Sequence, residues 1–178
     1  ELLIEVDTWT HFSTHLVHAA NETPLRPSFL PYLYASLVAQ ACNFGLDQMA
    51  RSTDLAYEHL AWCTTWHLRE DTLKAAFTAL VNYHYHLPLS QTWGSGILSS
   101  SDGQRFPVTG KNRLARPLPR YFAYGMCVTF YSWSSDQLSQ YGTKVIPATV
   151  RDAPYVLDEL CQNETELPIV EHTTDTHG

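Results

Sequence analysis

The sequence predicts an α/β protein: a helical first half, residues 1–93, then a mixed sheet, residues 94–178, in the order strand, strand, strand, helix, strand. Two observations carry this. Through the first half, apolar residues recur at helical spacing, as in Leu73, Ala76, Phe77, Leu80 and Val81. After Trp93, Gly94 and Gly96 break that period, and the chain turns rich in Ser, Thr, Val and aromatic residues with strand preference. The 178 residues, 44% hydrophobic and 16% charged, suit a well-buried domain, or one with a helical appendage. No apolar run approaches the roughly 18 residues of a membrane span, so no membrane partner is expected.

Each element has its own signal. "LLIEV" reads as a short extended segment before an amphipathic helix in "DTWTHFSTHLVHAA", with Trp9, Phe12, Leu16 and Val17 on its face. "SFLPYLYASLVAQACNFGLDQMARS" reads as one apolar helix, capped by Ser28 and tolerating Pro31 only in its first turn. In "STDLAYEHLAWCTTWHLRE", Leu55, His59, Trp62 and Trp66 fall near one face, and the next helix, "DTLKAAFTALVNYHYHL", is ended by Pro88. The strands are "GILSSSDGQRFPV", "GMCVTFYSWSS", "GTKVIPAT" and "LPIVEHTTDTHG". The helix before the last strand, in "RDAPYVLDELCQN", has Asp152 as cap, Pro154 in its first turn and Val156, Leu157 and Leu160 as its apolar stripe.

This order has a geometric consequence. Strands joined by short connections pair antiparallel, and the helix returns the chain to a strand parallel to one of them. If the last strand lies beside the first, Asp102 and Asp175 come from neighbouring strands about 4.8 Å apart. Two carboxylates on one face at that spacing can share a hard divalent cation, Mg²⁺ or Mn²⁺ rather than zinc. Locally, each has an ordinary alternative: Asp102-Gly103 is a hairpin signal, and Asp175 is a polar strand end.

Charge adds a second feature. The net charge is −7, yet from Gly103 to Ser135 there is no Asp or Glu, while Arg105, Lys111, Arg113, Arg116 and Arg120 fall there. A basic stretch beside an isolated carboxylate is an electrostatic footprint for nucleic acid, and equally a solvated loop. Cys42, Cys63, Cys127 and Cys161 lack CxxC spacing, which reads as small buried residues in a reducing compartment and points to a cytosolic protein. His11, His15 and His18 share a helix face but have no carboxylate among them for HExxH chemistry. His84 and His86 read as packing residues, and His177 stands near Asp175. No GxSxG, P-loop or GxGxxG motif is present. Glu1 and Gly178 look like cut points in a longer chain.

"SSSDGQRF", "TKVIPATVRDAPYVLD" and "HTTDTHG", in this order, closely resemble the catalytic domain of the Tn-three family of bacterial replicative transposases. "LLIEVDTWTHF", "LYASLVAQACNFGLDQMA" and "AWCTTWHLREDTLKAAFTALV" resemble the stretch preceding that domain, so the likeness covers nearly the whole chain. It implies an RNase H-like core with an Asp-Asp-Glu metal site, the two aspartates falling on Asp102 and Asp175. The third acid, a glutamate on a later helix, then lies beyond Gly178, and a fragment without it is expected to bind metal poorly and cut no DNA. The implied parent nicks transposon ends and joins the 3′-hydroxyl to target DNA with two Mg²⁺ (or Mn²⁺) ions. It works at the nucleoid of the bacterial cytoplasm, on transposon-end and target DNA, and self-associates. Arg105, Lys111, Arg113, Arg116 and Arg120 are candidate DNA contacts, with Gln104 and His177 assisting. Two other readings stay open: a non-catalytic DNA-contact or self-association module, and an unrelated RNase H-like nuclease whose third carboxylate is Asp136 or Asp152.

Overall fold

A computed structural model describes residues 1–21, 23 and 25–175. The chain forms two compact units, Glu1–Leu80 and Val81–Gly178.

The first unit is helical. α1 (Leu2–Thr10) begins at the start of the chain, so the segment expected to be extended is helix: "LLIEV" continues straight into the apolar period of the residues after it. α1 stops where His11 adopts a left-handed backbone, φ 53°, and a short 3₁₀ turn, Phe12–His15, follows. The break takes His11, His15 and His18 off the common helix face the spacing suggested. Asp7, buried near the end of α1, accepts bonds from the Ser13 N–H (2.8 Å) and the Tyr34 hydroxyl (2.6 Å).

The long apolar helix is two helices, α2 (Leu30–Ala41) and α3 (Leu46–Ser52). The chain turns between them through left-handed Asn43 and Gly45. Ser28 lies in a 3₁₀ turn and caps nothing with its side chain, while Pro31 does sit in the first turn of α2. α4 (Tyr57–His67) buries Leu60, Cys63 and His67, not the expected face: Trp62 and Trp66 are part-exposed and ring the His18 imidazole, Trp66 stacked on it at 5.2 Å. α5 (Glu70–Tyr85) completes the series. Phe12, Leu16, Leu33, Cys63 and Ala76 form the main core, and Ala39, Met49 and Leu60 a smaller one.

The second unit carries the sheet. Its strands are β1 (Leu98–Val108), β2 (Arg116–Pro117), β3 (Met126–Ser135), β4 (Gln140–Pro147) and β5 (Glu171–Thr174). A one-turn helix, α6 (Pro119–Phe122), follows β2. α7 (Val156–Cys161), entered through a 3₁₀ turn at Ala153–Tyr155, precedes β5. β3 pairs antiparallel with β1, β2 and β4, and β5 lies parallel beside β1. The order strand, strand, strand, helix, strand therefore holds, with the two-residue β2 and the one-turn α6 added between the first two. Trp133 is fully buried and its indole N–H bonds the Val156 carbonyl (3.0 Å), fixing α7 to the sheet. Trp93 is exposed. Cys63 and Cys127 are buried as expected of small apolar residues, whereas Cys42 and Cys161 are exposed. Among the described residues, no helix is long and apolar enough to cross a membrane.

Candidate active site

Asp102 is not in a turn. It stands mid-strand in β1, opposite Ser132 of β3. Side chains alternate between the faces of a strand, and residues directly opposite one another share a face. On one face, Ser100 and Asp102 therefore stand with Ser134 and Ser132 of β3. The parallel register sets Ser100 against Thr173 and Ser101 against Thr174, so Asp175, the next residue, arrives level with Asp102. Ser100, Asp102, Ser132, Ser134, Thr173 and Asp175 line an open cleft of about 360 Å³. Both carboxylates are exposed, and Asp102 accepts a bond from the Gly103 N–H (2.6 Å). Small hydroxyl side chains surround them, leaving the carboxylates accessible from solvent.

The opposite face is closed by the segment that contains α7. There, Gly103 admits the Asp152 side chain: a Cβ at 103 would lie 2.4 Å from an Asp152 oxygen and 3.0 Å from the Thr129 methyl. Gly142 gives the same room to Glu159. Asp152 thus packs into the sheet rather than capping the helix, and it makes no side-chain cap bond. Burial raises its pKa, Arg105 opposes that rise, and the negative charges of Asp102 and Asp175 add to it. Burial likewise raises the Tyr131 pKa, with its hydrogen bond to the Ser101 side chain opposing and the charges of Asp152, Asp102 and Asp175 adding.

Asp152 therefore feels the two front acids through the thickness of the sheet without joining them. Among the described residues no three His, Cys, Asp or Glu side chains gather to hold a metal ion. The donors in the cleft, two carboxylates and serine and threonine hydroxyls, fit a hard oxygen-seeking cation in kind, and they lack a third acid. Asp136, the other candidate, accepts a bond from the Gly96 N–H (2.8 Å) and packs on Gly94.

The basic residues take different places. Arg105 is part-buried on the Asp152 face, its guanidinium 5.1 Å from the Tyr121 ring, and Arg120 approaches the same ring at 5.6 Å. Lys111, Arg113 and Arg116 are exposed on the excursion between β1 and β3, and Gln104 is exposed on β1. His177 lies outside the described residues. His84 meets Ser90 close by in sequence, and His86 meets Glu166, 80 residues on.

Sequence reasoning passed over Ser99, Ser101 and Tyr131, and placed His172 beside Asp175 without giving it a role. His172 of β5 reaches both Ser99 (Nδ1 to Oγ, 2.6 Å) and Ser101 (Nε2 to Oγ, 2.8 Å), and Ser101 also meets the Tyr131 hydroxyl (2.7 Å). The two-residue spacing of the serines, one face of one strand, was the signal available.

The chain can be set beside known proteins on this geometry. The family model "Tn3 transposase DDE domain" matches residues 1–178. Over its whole length the chain is 39% identical to the transposase for transposon Tn501 of Pseudomonas aeruginosa. It is 38% identical to that for Tn3926 and 35% to that for gamma-delta, both of Escherichia coli. In each case it spans 18% of the relative's length. The parallel pairing of β1 with β5 in a mixed sheet, and a family match over every residue, agree: this chain belongs to the Tn3 transposase DDE domain family and its sheet is RNase H-like.

Proposed function

We propose that this chain supplies the first two acids of the catalytic site of a DNA transposase, the parent protein nicking transposon ends and joining the freed 3′-hydroxyl to target DNA. The observation that carries the reading is the convergence of Asp102 and Asp175 on one solvent-open cleft from parallel, adjacent strands. Residues 94–178 begin the catalytic core, and residues 1–93 are a helical region that precedes it. Asp102 and Asp175 would hold Mg²⁺ or Mn²⁺ together with a glutamate on a segment outside this chain. When bound, the cation neutralises charge on the phosphate and makes water a better nucleophile at neutral pH.

The chain's own residues do the rest. Asp102, held mid-strand between β3 and β5, presents its carboxylate at a fixed position, so little reorganisation accompanies the reaction. The small hydroxyl residues beside it leave width for a phosphodiester. Gln104, two residues along the same face, orders a water or a phosphate oxygen, and His177 assists near Asp175. Lys111, Arg113, Arg116 and Arg120, with Arg105 behind them, contact the DNA backbone. The parent acts in the bacterial cytoplasm and self-associates. With two of its three acids, the 178-residue chain alone cuts no DNA.

The test is Asp102→Asn in the parent. Loss of end cleavage and joining by about 10²–10³-fold, the scale of removing one charge-stabilising group, with end binding retained, is the expected result. Unchanged transposition would overturn the catalytic reading in favour of a DNA-contact module.

A further inference from the structure

His172, Ser99, Ser101 and Tyr131 lie on the face of the sheet opposite the carboxylate cleft and have no part in the chemistry just described. They are nonetheless joined. One imidazole bridges two hydroxyls two residues apart on β1, and Ser101 is also anchored to Tyr131 on the other neighbouring strand. Ser99, Ser101 and Tyr131 are 1%, 7% and 1% exposed, so water does not compete for these bonds. With a neutral ring both imidazole nitrogens are satisfied: the Tyr131 O–H donates to Ser101, the Ser101 O–H donates to Nε2, and Nδ1–H donates to Ser99.

β5 needs such a fastening. Among the described residues it is four residues long and pairs with β1, and so short a parallel ladder is weakly specified by its backbone bonds. A slip of one residue turns every side chain of the strand to the other face, which would carry Asp175 away from Asp102. A slip of two would part His172 from at least one of its serines.

We propose that His172 is a positioning residue: its two-point grip on Ser99 and Ser101 locks the register of β5 and so sets the spacing of the Asp102 and Asp175 carboxylates. The proposal rests on those carboxylates acting as the metal pair.

The experiment uses the intact parent transposase carrying His172→Phe, which keeps a flat ring and loses both bonds, and His172→Gln, which keeps one donor and one acceptor. Hydrogen exchange of the peptide spanning residues 170–175 is read without DNA or metal. The Mn²⁺ concentration for half-maximal binding is read by electron paramagnetic resonance, and that for half-maximal end cleavage in a separate titration. In His172→Phe, exchange is expected to quicken at least about tenfold and both Mn²⁺ midpoints to rise about tenfold, the scale of two hydrogen bonds. Cleavage at saturating Mn²⁺ and affinity for end DNA should stay near the parent's, and His172→Gln should recover part of the loss.

A folded His172→Phe protein with the parent's exchange and Mn²⁺ midpoints would overturn the proposal, as would loss of DNA affinity with no change in either. If His172→Phe fails to fold, Ser99→Ala and Ser101→Ala each remove one grip. Each is expected to give a several-fold rise in both readouts, and no effect from either overturns the idea. Because exchange is read without the reaction, failure of the catalytic reading, seen as an active Asp102→Asn parent, is distinguishable from failure of the grip.

Discussion

Asp152 lies behind the cleft, on the packed face of the sheet, with its Oδ1 buried and without a hydrogen-bond partner. Burial and the charges of Asp102 and Asp175 raise its pKa while Arg105 works against them. A carboxylate whose folded pKa stands above its unfolded value destabilises the fold as pH rises from about 4 through the folded value. Asp152→Asn keeps the shape and removes the charge, so the melting temperature of this chain should rise at pH 7 and be unchanged near pH 3. A drop at pH 7 would mean that the Arg105 attraction wins. The neighbouring Gly103 is tied to the same carboxylate: Gly103→Ala puts a methyl 2.4 Å from it and should cost about 1–3 kcal/mol. Adding Asp152→Ala should return much of that loss, since the two sites share one space; additive losses on thermal denaturation would refute the shared-space account. For His172 the sign is opposite. Burial lowers its pKa, so its contribution is complete above the unfolded value of about 6.5 and is lost as pH falls through the folded one. Melting temperature should therefore decline less between pH 7 and pH 5 in His172→Gln than in the unchanged chain.

The elements differ in how openly the sequence announces them. β1, β3, β4, β5 and α7 were legible because a strand needs only a short β-branched or aromatic run between turn residues, and Gly94, Gly96 and Pro154 punctuate that half. The helical half misled where the backbone turns left-handed. His11 at φ 53° ends α1, and Asn43 at φ 54° with Gly45 at φ 76° divides α2 from α3, yet the apolar period runs through both places uninterrupted. Gly45 has nothing within 4 Å of where a Cβ would stand, so Gly45→Ala meets no clash and pays only for the backbone. It should destabilise by about 1–3 kcal/mol, the cost of holding a residue with a side chain at φ 76°, ψ 157°, a region essentially confined to glycine, and an unchanged unfolding midpoint would show that the turn relaxes freely. The candidate site was legible in its acids and illegible in its supports. Asp102 and Asp175 stand out as carboxylates among small polar residues, and their meeting follows once β5 pairs with β1. Asp152 reads locally as a helix cap, and nothing near it in sequence reveals that Gly103, 49 residues earlier, opens a space for it. The His172 grip joins residues 71 and 73 positions apart, and only the sheet brings them together.

Across the whole molecule, charge is segregated rather than balanced. Acids outnumber Lys and Arg by 18 to 11, yet five of those cations fall between Gly103 and Ser135, where no acid occurs. Such a chain repels a polyanion through its net charge and attracts it at this acid-free segment, which favours one orientation of approach over others. Among the described residues Arg113, Arg116 and Arg120 make no ion pair, and Arg116 spends one nitrogen on the Arg113 and Ala115 carbonyls. Cations without acidic partners give up no salt bridge when they meet phosphate. If they contact DNA, each releases condensed counterions, and the dependence of log K on log salt should weaken by about 0.9 per contact removed on duplex DNA. In the parent transposase, Arg113→Ala, Arg116→Ala and Arg120→Ala should each lower affinity for end and unrelated duplexes alike, because phosphate contacts carry no sequence information. The triple variant should lose close to three units of slope while end-sequence preference persists. An unchanged slope would assign the segment to solvent, and a loss confined to the end sequence would mean that these arginines read bases instead of backbone.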